Sequence, residues 1–311
     1  MNEPVWSTHP HGKLLLTGEY AVLDGALALA VPVRYGQHLD VFAGEKPGQL
    51  LWTSRDRHGA VWFEAAFGLP GLNIRAATHD KTAGVLQQLL QACRRQNPDF
   101  LAGNQGYAAR TLTDFPRNWG LGTSSTLIAA LANWAKVDPY RVLAETLGGS
   151  GYDIACAYAD GPLLYQLSPG RGPVVQPVVF RPAFAAQLFF VFLGKKQNSR
   201  EGIGRYRASP FRANSGLIDA ISALSRQCLA AQSLPEFAAV LLEHERQIAQ
   251  ALALPRAQDL FFAGFPGVIK SLGAWGGDFV LAVAAQAAEA TMQYFDQKGF
   301  STCIPYQEMV L

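Results

Sequence analysis

Charge is scarce in this 311-residue chain: only 16% of its residues are Asp, Glu, Lys or Arg, and the formal net charge is +2. Its lysines and arginines are scattered, so neither a basic stripe for nucleic acid nor a polybasic helix for a membrane surface is present, and neither partner is expected. Cysteine is equally thin. Its four copies, Cys93, Cys156, Cys228 and Cys303, stand far apart with no CxxC pair, which argues against a disulfide framework or a zinc site and predicts buried free thiols in a reducing compartment. No apolar run is long enough to cross a bilayer. The opening Met1-Asn2-Glu3-Pro4 lacks the charged start and continuous apolar stretch of a secretion signal, so a cytoplasmic location is expected. A small, acidic molecule remains the partner that the weak positive balance favours.

What the chain does have is apolar residues, 49% of the total, broken into short periodic stretches that suit a water-exposed protein of two moderate lobes. Residues 5 to 65 read mainly as strands: Lys13–Leu16, Ala26–Val33 and His38–Phe42, punctuated by Gly and Asp turns. From Thr82 to Arg95, Val85, Leu86, Leu89 and Leu90 recur at helical spacing. Another helix is predicted from Thr123 to about Lys136, and a third after Asp138, a good N-cap. Pro162–Tyr165 reads as a strand, and Ser168–Pro173 as a surface connection preceding a lobe boundary. Beyond it the pattern predicts strand Ala186–Leu193, helices Ser215–Ala231 and Pro235–Leu252, strand Phe279–Ala284, helix Ala288–Lys298 and strand Thr302–Pro305. The fold class is therefore α+β.

Four segments carry candidate chemistry. In Gly12–Gly25 a strand bearing Lys13 ends in a tight turn at Gly18-Glu19; taken alone it reads at least as well as an edge strand with a solvent-facing lysine. In Pro116–Thr126 the run Gly120-Leu121-Gly122-Thr123-Ser124-Ser125 leads straight into an apolar helix. Two glycines, unpaired N–H groups at a helix start and three hydroxyls suit an anion, and a hydroxyl oxygen suits Mg²⁺. An ordinary glycine turn with a Ser or Thr cap has the same local appearance. It is neither a Walker A loop nor a nucleophile elbow, because both patterns are missing. The third segment, Gly148–Ala157, delivers Asp153, either a general base for phosphoryl transfer or a plain helix cap. The fourth, Lys270–Leu281, is glycine-rich and runs into a strand; a hairpin turn explains it locally as well as a ligand-closing loop does.

Jointly, in this order, the four segments resemble the blocks of the GHMP kinases, the family of galactokinase, homoserine kinase, mevalonate kinase and phosphomevalonate kinase. Gly12–Glu19 looks like G-K-[LIV]-x-x-x-G-E, Pro116–Thr126 like P-x-x-x-G-L-G-S-S-[AG], Ser150–Asp153 like S-G-x-D, and Gly273–Asp278 like G-A-G-G-G-[GD]. Tyr20 and the terminal Gly277-Asp278 are most similar to the phosphomevalonate kinase branch. The resemblance implies two lobes, residues 1–180 as an ATP-binding domain of the ribosomal protein S5 domain 2-like type and residues 181–311 as a ferredoxin-like domain. It also implies a left-handed crossover that elementary topology rules would not suggest.

For function, the resemblance implies transfer of the ATP γ-phosphoryl group to a mevalonate-type acceptor, phosphomevalonate first and mevalonate second. A diphosphomevalonate decarboxylase-like lyase and a non-catalytic ligand-binding relative are the alternatives. Gly120, Leu121, Gly122, Thr123, Ser124 and Ser125 would hold ATP, with Ser124 the ligand to Mg²⁺ and Glu145 a second metal carboxylate. Asp153 would be the catalytic carboxylate, kept ionised by a neighbouring Lys13. Glu19, Ser150, Gly151, Gly273, Ala274, Gly276, Gly277 and Ser199 would border the substrate, and a homodimer is allowed for. Lys195, Lys196, Asn198, Ser199, Arg200 and Arg205 form a basic stretch suited to the substrate's acidic end or simply to solvent. The chain departs from the pattern at Trp275, where the family has glycine, so the fourth loop is expected to need a changed backbone path and a pocket shaped by the ring.

Overall fold

A computed structural model of the chain describes residues 3–168, 171–195, 199–275 and 277–311, with Ser199 and Arg200 described by their backbone only. Up to residue 158 the strands are β1 (Trp6–Thr8), β2 (His11–Thr17), β3 (Ala28–Ala43), β4 (Gln49–Arg55), β5 (Val61–Gly68), β6 (Asn73–Ala77) and β7 (Tyr107–Thr113). The helices there are α1 (Asp80–Gln96), α2 (Thr123–Ala135), α3 (Pro139–Glu145) and α4 (Tyr152–Ala157). The two strands predicted at Ala26–Val33 and His38–Phe42 are one strand of 16 residues, β3; β4 and most of β5 fall in the stretch 5–65 that reads mainly as strands, while β6 and β7 had no counterpart in the sequence-based prediction.

Contacts divide the chain into two interleaved units. The first is Met1–Gly12, Tyr35–Arg117 and Gly122–Tyr158; the second is Lys13–Arg34, Asn118–Leu121 and Ala159–Leu311. The division expected at 180/181 cuts the chain into consecutive pieces instead.

In the first unit the strand order is β6-β5-β4-β7-β3, with β1 also on β3. The β4–β7 pair is parallel, and the others are antiparallel. Alternation decides which face is covered: Leu50 and Trp52 of β4 and Phe63 and Phe67 of β5 point into one core. α1 closes it with Leu86, Leu89 and Leu90 of the predicted helical stripe and with Cys93, while Val85 of that stripe is only partly buried. α2 contributes Ile128 and Leu131 to the same core. Asp138 caps α3, accepting the Tyr140 N–H at 2.8 Å, as its position before Pro139 suggested.

In the second unit the chain continues with β8 (Leu163–Ser168), β9 (Gly172–Pro177), β10 (Leu188–Phe192), α5 (Ser199–Ala208), α6 (Ser215–Ala230), α7 (Leu234–Leu252), α8 (Ala257–Phe261), β11 (Gly267–Ser271), β12 (Phe279–Ala284), α9 (Ala288–Gln297), β13 (Cys303–Pro305) and α10 (Tyr306–Met309). The Pro/Gly stretch expected to be a surface connection contains the start of β9, which pairs antiparallel with β8; Pro169 and Gly170 lie outside the described residues. β8 pairs with the N-terminal part of β3, at Ala28–Ala30. A separate four-stranded sheet runs β11-β12-β10-β13, all antiparallel. β12 reads Phe-Val-Leu-Ala-Val-Ala and is buried at every position, as expected for a central strand covered on both faces.

Hydroxyls join α6 to the first motif. Thr17 Oγ1 donates to Ser225 Oγ at 2.8 Å, Leu27 N to Ser222 Oγ at 2.9 Å, and Ser225 Oγ to Leu27 O at 2.7 Å. These bonds explain why residues 13–34 cluster with the C-terminal half of the chain. All four cysteines are free, with Cys93, Cys156 and Cys228 buried. No described helix is long and apolar enough to cross a membrane.

Candidate active site

α2 begins at Thr123 behind Gly122, which caps it in a left-handed conformation (φ 94°) without any side-chain cap bond. The first intrahelical bonds are Ser125 N and Thr126 N to Gly122 O, at 3.0 and 2.9 Å. The N–H groups of Thr123 and Ser124 therefore precede the ladder, at the positive end of a 13-residue helix. Ser124 is exposed and Ser125 is buried. Thr126 is turned inward, its hydroxyl donating to Gln37 Oε1 at 2.7 Å.

α4 starts in the same manner, behind Gly151 (φ 86°), and carries Asp153 in its first turn. The Ser125 hydroxyl donates to Asp153 Oδ2. Two residues 28 positions apart, each in the first turn of its helix, thus meet; Ser125 makes the contact, while Ser124 is exposed.

In the second unit Lys13 Nζ donates to Gly120 O at 3.0 Å, and Lys13 N to Leu121 O at 3.1 Å. Gly120 (φ 68°) is held closely from the other side, since a Cβ there would lie 2.5 Å from both oxygens of Asp278. Only glycine fits both that backbone angle and that approach. Asp278 is itself left-handed (φ 52°) and buried, with its N–H bonded to Lys195 O at 2.7 Å. Trp275, expected to divert the loop, keeps a glycine-like backbone (φ 54°). Its ring is buried in a cluster with Tyr20, Tyr206 and Leu252, so apolar burial compensates the left-handed strain, which is about 1–2 kcal/mol.

Glu19 does not border a ligand. Its side chain is 1% exposed, with Oε1 accepting from the fully buried Lys270 Nζ. His244 Nε2 lies 3.5 Å from Glu19 Oε2, but that nitrogen accepts the Gly18 N–H at 2.8 Å and has no proton to offer the carboxylate. Burial, with Lys270 adding to it, holds His244 well below the usual imidazole range, so the ring is neutral. Burial also raises the Glu19 carboxyl to about 7 against the opposing pull of Lys270. Glu245 is raised too, by burial, while Lys270 and bonds from Ser271 N and Oγ oppose the shift. The network orders the Gly18-Glu19 turn on α7 and β11. Sequence reasoning missed Lys270, His244 and Glu245; the available signal was a lone lysine inside the apolar strand Val268-Ile269-Lys270.

A mevalonate kinase of Methanococcus jannaschii matches with a TM-score of 0.70 at 13% identity, over 94% of this chain and 95% of its own. A phosphomevalonate kinase of Streptococcus pneumoniae, solved with phosphomevalonate and AMPPNP, matches at 0.69 and 15%, over 96% and 99%. A galactokinase of Lactococcus lactis, solved with galactose, matches at 0.66 and 12%, over 97% and 89%. The chain has the GHMP kinase fold. No family model matches the sequence, and no curated protein does.

Within this GHMP fold the remaining expected site residues fall as follows. Glu145 Oε2 is held by Arg95 Nε and Nη2 at 3.0 and 2.8 Å, so its charge is already matched and it is a poor second metal ligand. Ser150, Gly273 and Ala274 are half-buried, and Gly277 is buried. Gly276, Lys196 and Asn198 lie outside the described residues, as do the side chains of Ser199 and Arg200; Ser199 opens α5, which contains Arg205. The exposed Ser124 hydroxyl and the half-buried Asp153 carboxylate each carry an oxygen of the kind that magnesium takes. A cavity of about 590 Å³ in the first unit, lined by Asp40, Phe42, Lys46 and Arg110 among others, contains none of the residues singled out above.

Proposed function

We propose that the chain is an ATP-dependent small-molecule kinase, with phosphomevalonate as the favoured acceptor and mevalonate next. The observation that carries this reading is the hydrogen bond from Ser125 to Asp153, which joins an anion-binding helix start to a carboxylate. The fold shared with solved kinases supports it, as does the joint match of the four segments.

In this reading the N–H groups of Thr123 and Ser124 bind triphosphate oxygens, and the Gly120–Gly122 backbone lies against them. Ser124 would hold a Mg²⁺, which would supply positive charge to offset that of the phosphates. An acceptor oxygen attacks the γ-phosphorus in line, the bond to the β–γ bridging oxygen breaks, and ADP leaves with that electron pair. A hydroxyl acceptor passes its proton to Asp153; a phosphate acceptor is already mostly deprotonated near neutrality, and there Asp153 orients rather than abstracts. Ser150 and Gly151, at the start of α4, border the acceptor. In the second unit, Gly273, Ala274 and Gly277 form the turn before β12, and Lys13, Lys195 and Arg205 are cations of the kind that suit phosphate or carboxylate oxygens.

The test is an ADP-release screen of the purified chain with MgATP against phosphomevalonate, mevalonate, homoserine and galactose, with phosphorus NMR of the product. ADP with a mevalonate-type acceptor and a new phosphoester or phosphoanhydride signal is expected. Carbon dioxide released together with ADP would replace the kinase reading by the lyase one. Nucleotide binding with no ADP from any acceptor would leave a binding protein.

A further inference from the structure

Outside the candidate phosphate site, one cluster of side chains that could hold a metal ion is found among the described residues, in the first unit, where the ends of β1 and β7 flank the interior of β3. His9 directly follows β1, His38 lies in β3, and Asp114 directly follows β7. His9 Nε2 is 3.0 Å from Asp114 Oδ2. The His9 and His38 rings stack, with centroids 3.8 Å apart and planes 12° apart. One ligand atom from each of the three lies within 4.8 Å of the others, and all three residues are half-buried. His11 borders His9 edge-on, at 5.7 Å between centroids.

The surroundings are built to hold this arrangement. Asp114 Oδ1 accepts the Gly36 N–H at 2.7 Å, which fixes the carboxylate and leaves Oδ2 toward the histidines. Gly36 is the close-approach point, since a Cβ there would lie 2.6 Å from His9 Nε2 and 2.5 Å from Pro10 O. A carboxylate positioned by a backbone donor is the kind of outer-shell support that metal ligands receive.

We propose that His9, His38 and Asp114 form a site for a divalent ion of the zinc class (Zn²⁺, Co²⁺ or Ni²⁺), separate from any ATP-linked Mg²⁺. Two imidazole nitrogens and one carboxylate oxygen are the donors such ions select, whereas Mg²⁺ prefers oxygen. Tetrahedral coordination with bonds of about 2.0–2.2 Å requires donors closer than the present spread; half-exposed side chains have room to rotate inward. Three protein ligands leave a fourth position for water or for the neighbouring His11. The ion would tie β1, β3 and β7 together, and the proposal does not depend on the kinase reading.

The test uses the untagged, chelator-treated full chain titrated with Co²⁺, read by its visible absorption and displaced by Zn²⁺. One equivalent is expected to bind, Zn²⁺ to compete and excess Mg²⁺ not to. His38→Gln and Asp114→Asn, the latter keeping an acceptor for Gly36, are each expected to weaken binding roughly tenfold or more. Folding of each variant is checked by circular dichroism. Independently of any variant, one equivalent of Zn²⁺ should protect His9 and His38 from diethyl pyrocarbonate, with the exposed His58 and His79 as internal controls. Absence of a cobalt spectrum, unchanged titration of the folded variants, or equal modification with and without zinc would each overturn the site.

Discussion

Two carboxylates that the sequence set side by side as site residues, Asp153 and Glu19, meet opposite fates. Asp153 is half-buried, at the start of a short helix, with a serine hydroxyl on one oxygen. Glu19 is sealed among Lys270, His244 and Glu245. The difference is one of solvent. A carboxylate that can reach both water and an anion-binding backbone remains available for proton and phosphoryl chemistry, while one enclosed with a lysine serves to hold two distant chain segments in register. An acid in a glycine-rich motif therefore says little about its role until its burial is known.

The sharpest way to break this comparison is at Asp153. Asp153→Asn is expected to lower turnover about 10²–10⁴-fold, the usual worth of a positioned acid or base, while nucleotide binding and the unfolding midpoint stay near wild type; an ADP-release assay beside calorimetry measures both. Lys270→Met should do the reverse. It leaves buried carboxylates without their cation and should cost about 3–5 kcal/mol of stability by urea denaturation, with part recovered when Glu19→Gln is added. Gly120→Ala should cost about 1–3 kcal/mol for the left-handed backbone and the collision with Asp278 and should weaken nucleotide binding, separating it from Lys270→Met, which acts on stability alone.

The smallest effect is a pH trend. Glu19 has a folded pKa of about 7 against an unfolded value of 4.5, so the native state holds the proton more tightly. Its contribution is present at low pH and is lost as pH rises from about 4.5 through 7. Wild type should therefore lose stability relative to Glu19→Gln across that interval, in denaturation series at several pH values. A flat difference would mean that Lys270 keeps Glu19 fully ionised.

Much of the fold was legible beforehand because its elements are locally encoded. α1, α2, α6 and α7 lie within two residues of their predicted ends, since apolar spacing and caps such as Asp138 are written in neighbouring residues. β6 was missed because Arg75-Ala76-Ala77 carries little β preference; pairing with β5 makes it a strand. Around Asp153, the glycine-led start of α2 and the acid that opens α4 were visible from residue type and glycine placement. The neutralisation of Glu145 by Arg95 was not, because a partner on another helix leaves no local mark.

The chain's own order of residues determined its helical registers, the hydroxyl-rich turn before α2 and the acid that opens α4, all properties of a few adjacent positions. Tertiary structure alone decided that Glu19 finds Lys270 at a separation of 251 residues, that Ser125 rather than Ser124 meets Asp153, and that His9, His38 and Asp114 converge. Each of these depends on which groups lose their water together, and that is settled only when distant segments pack.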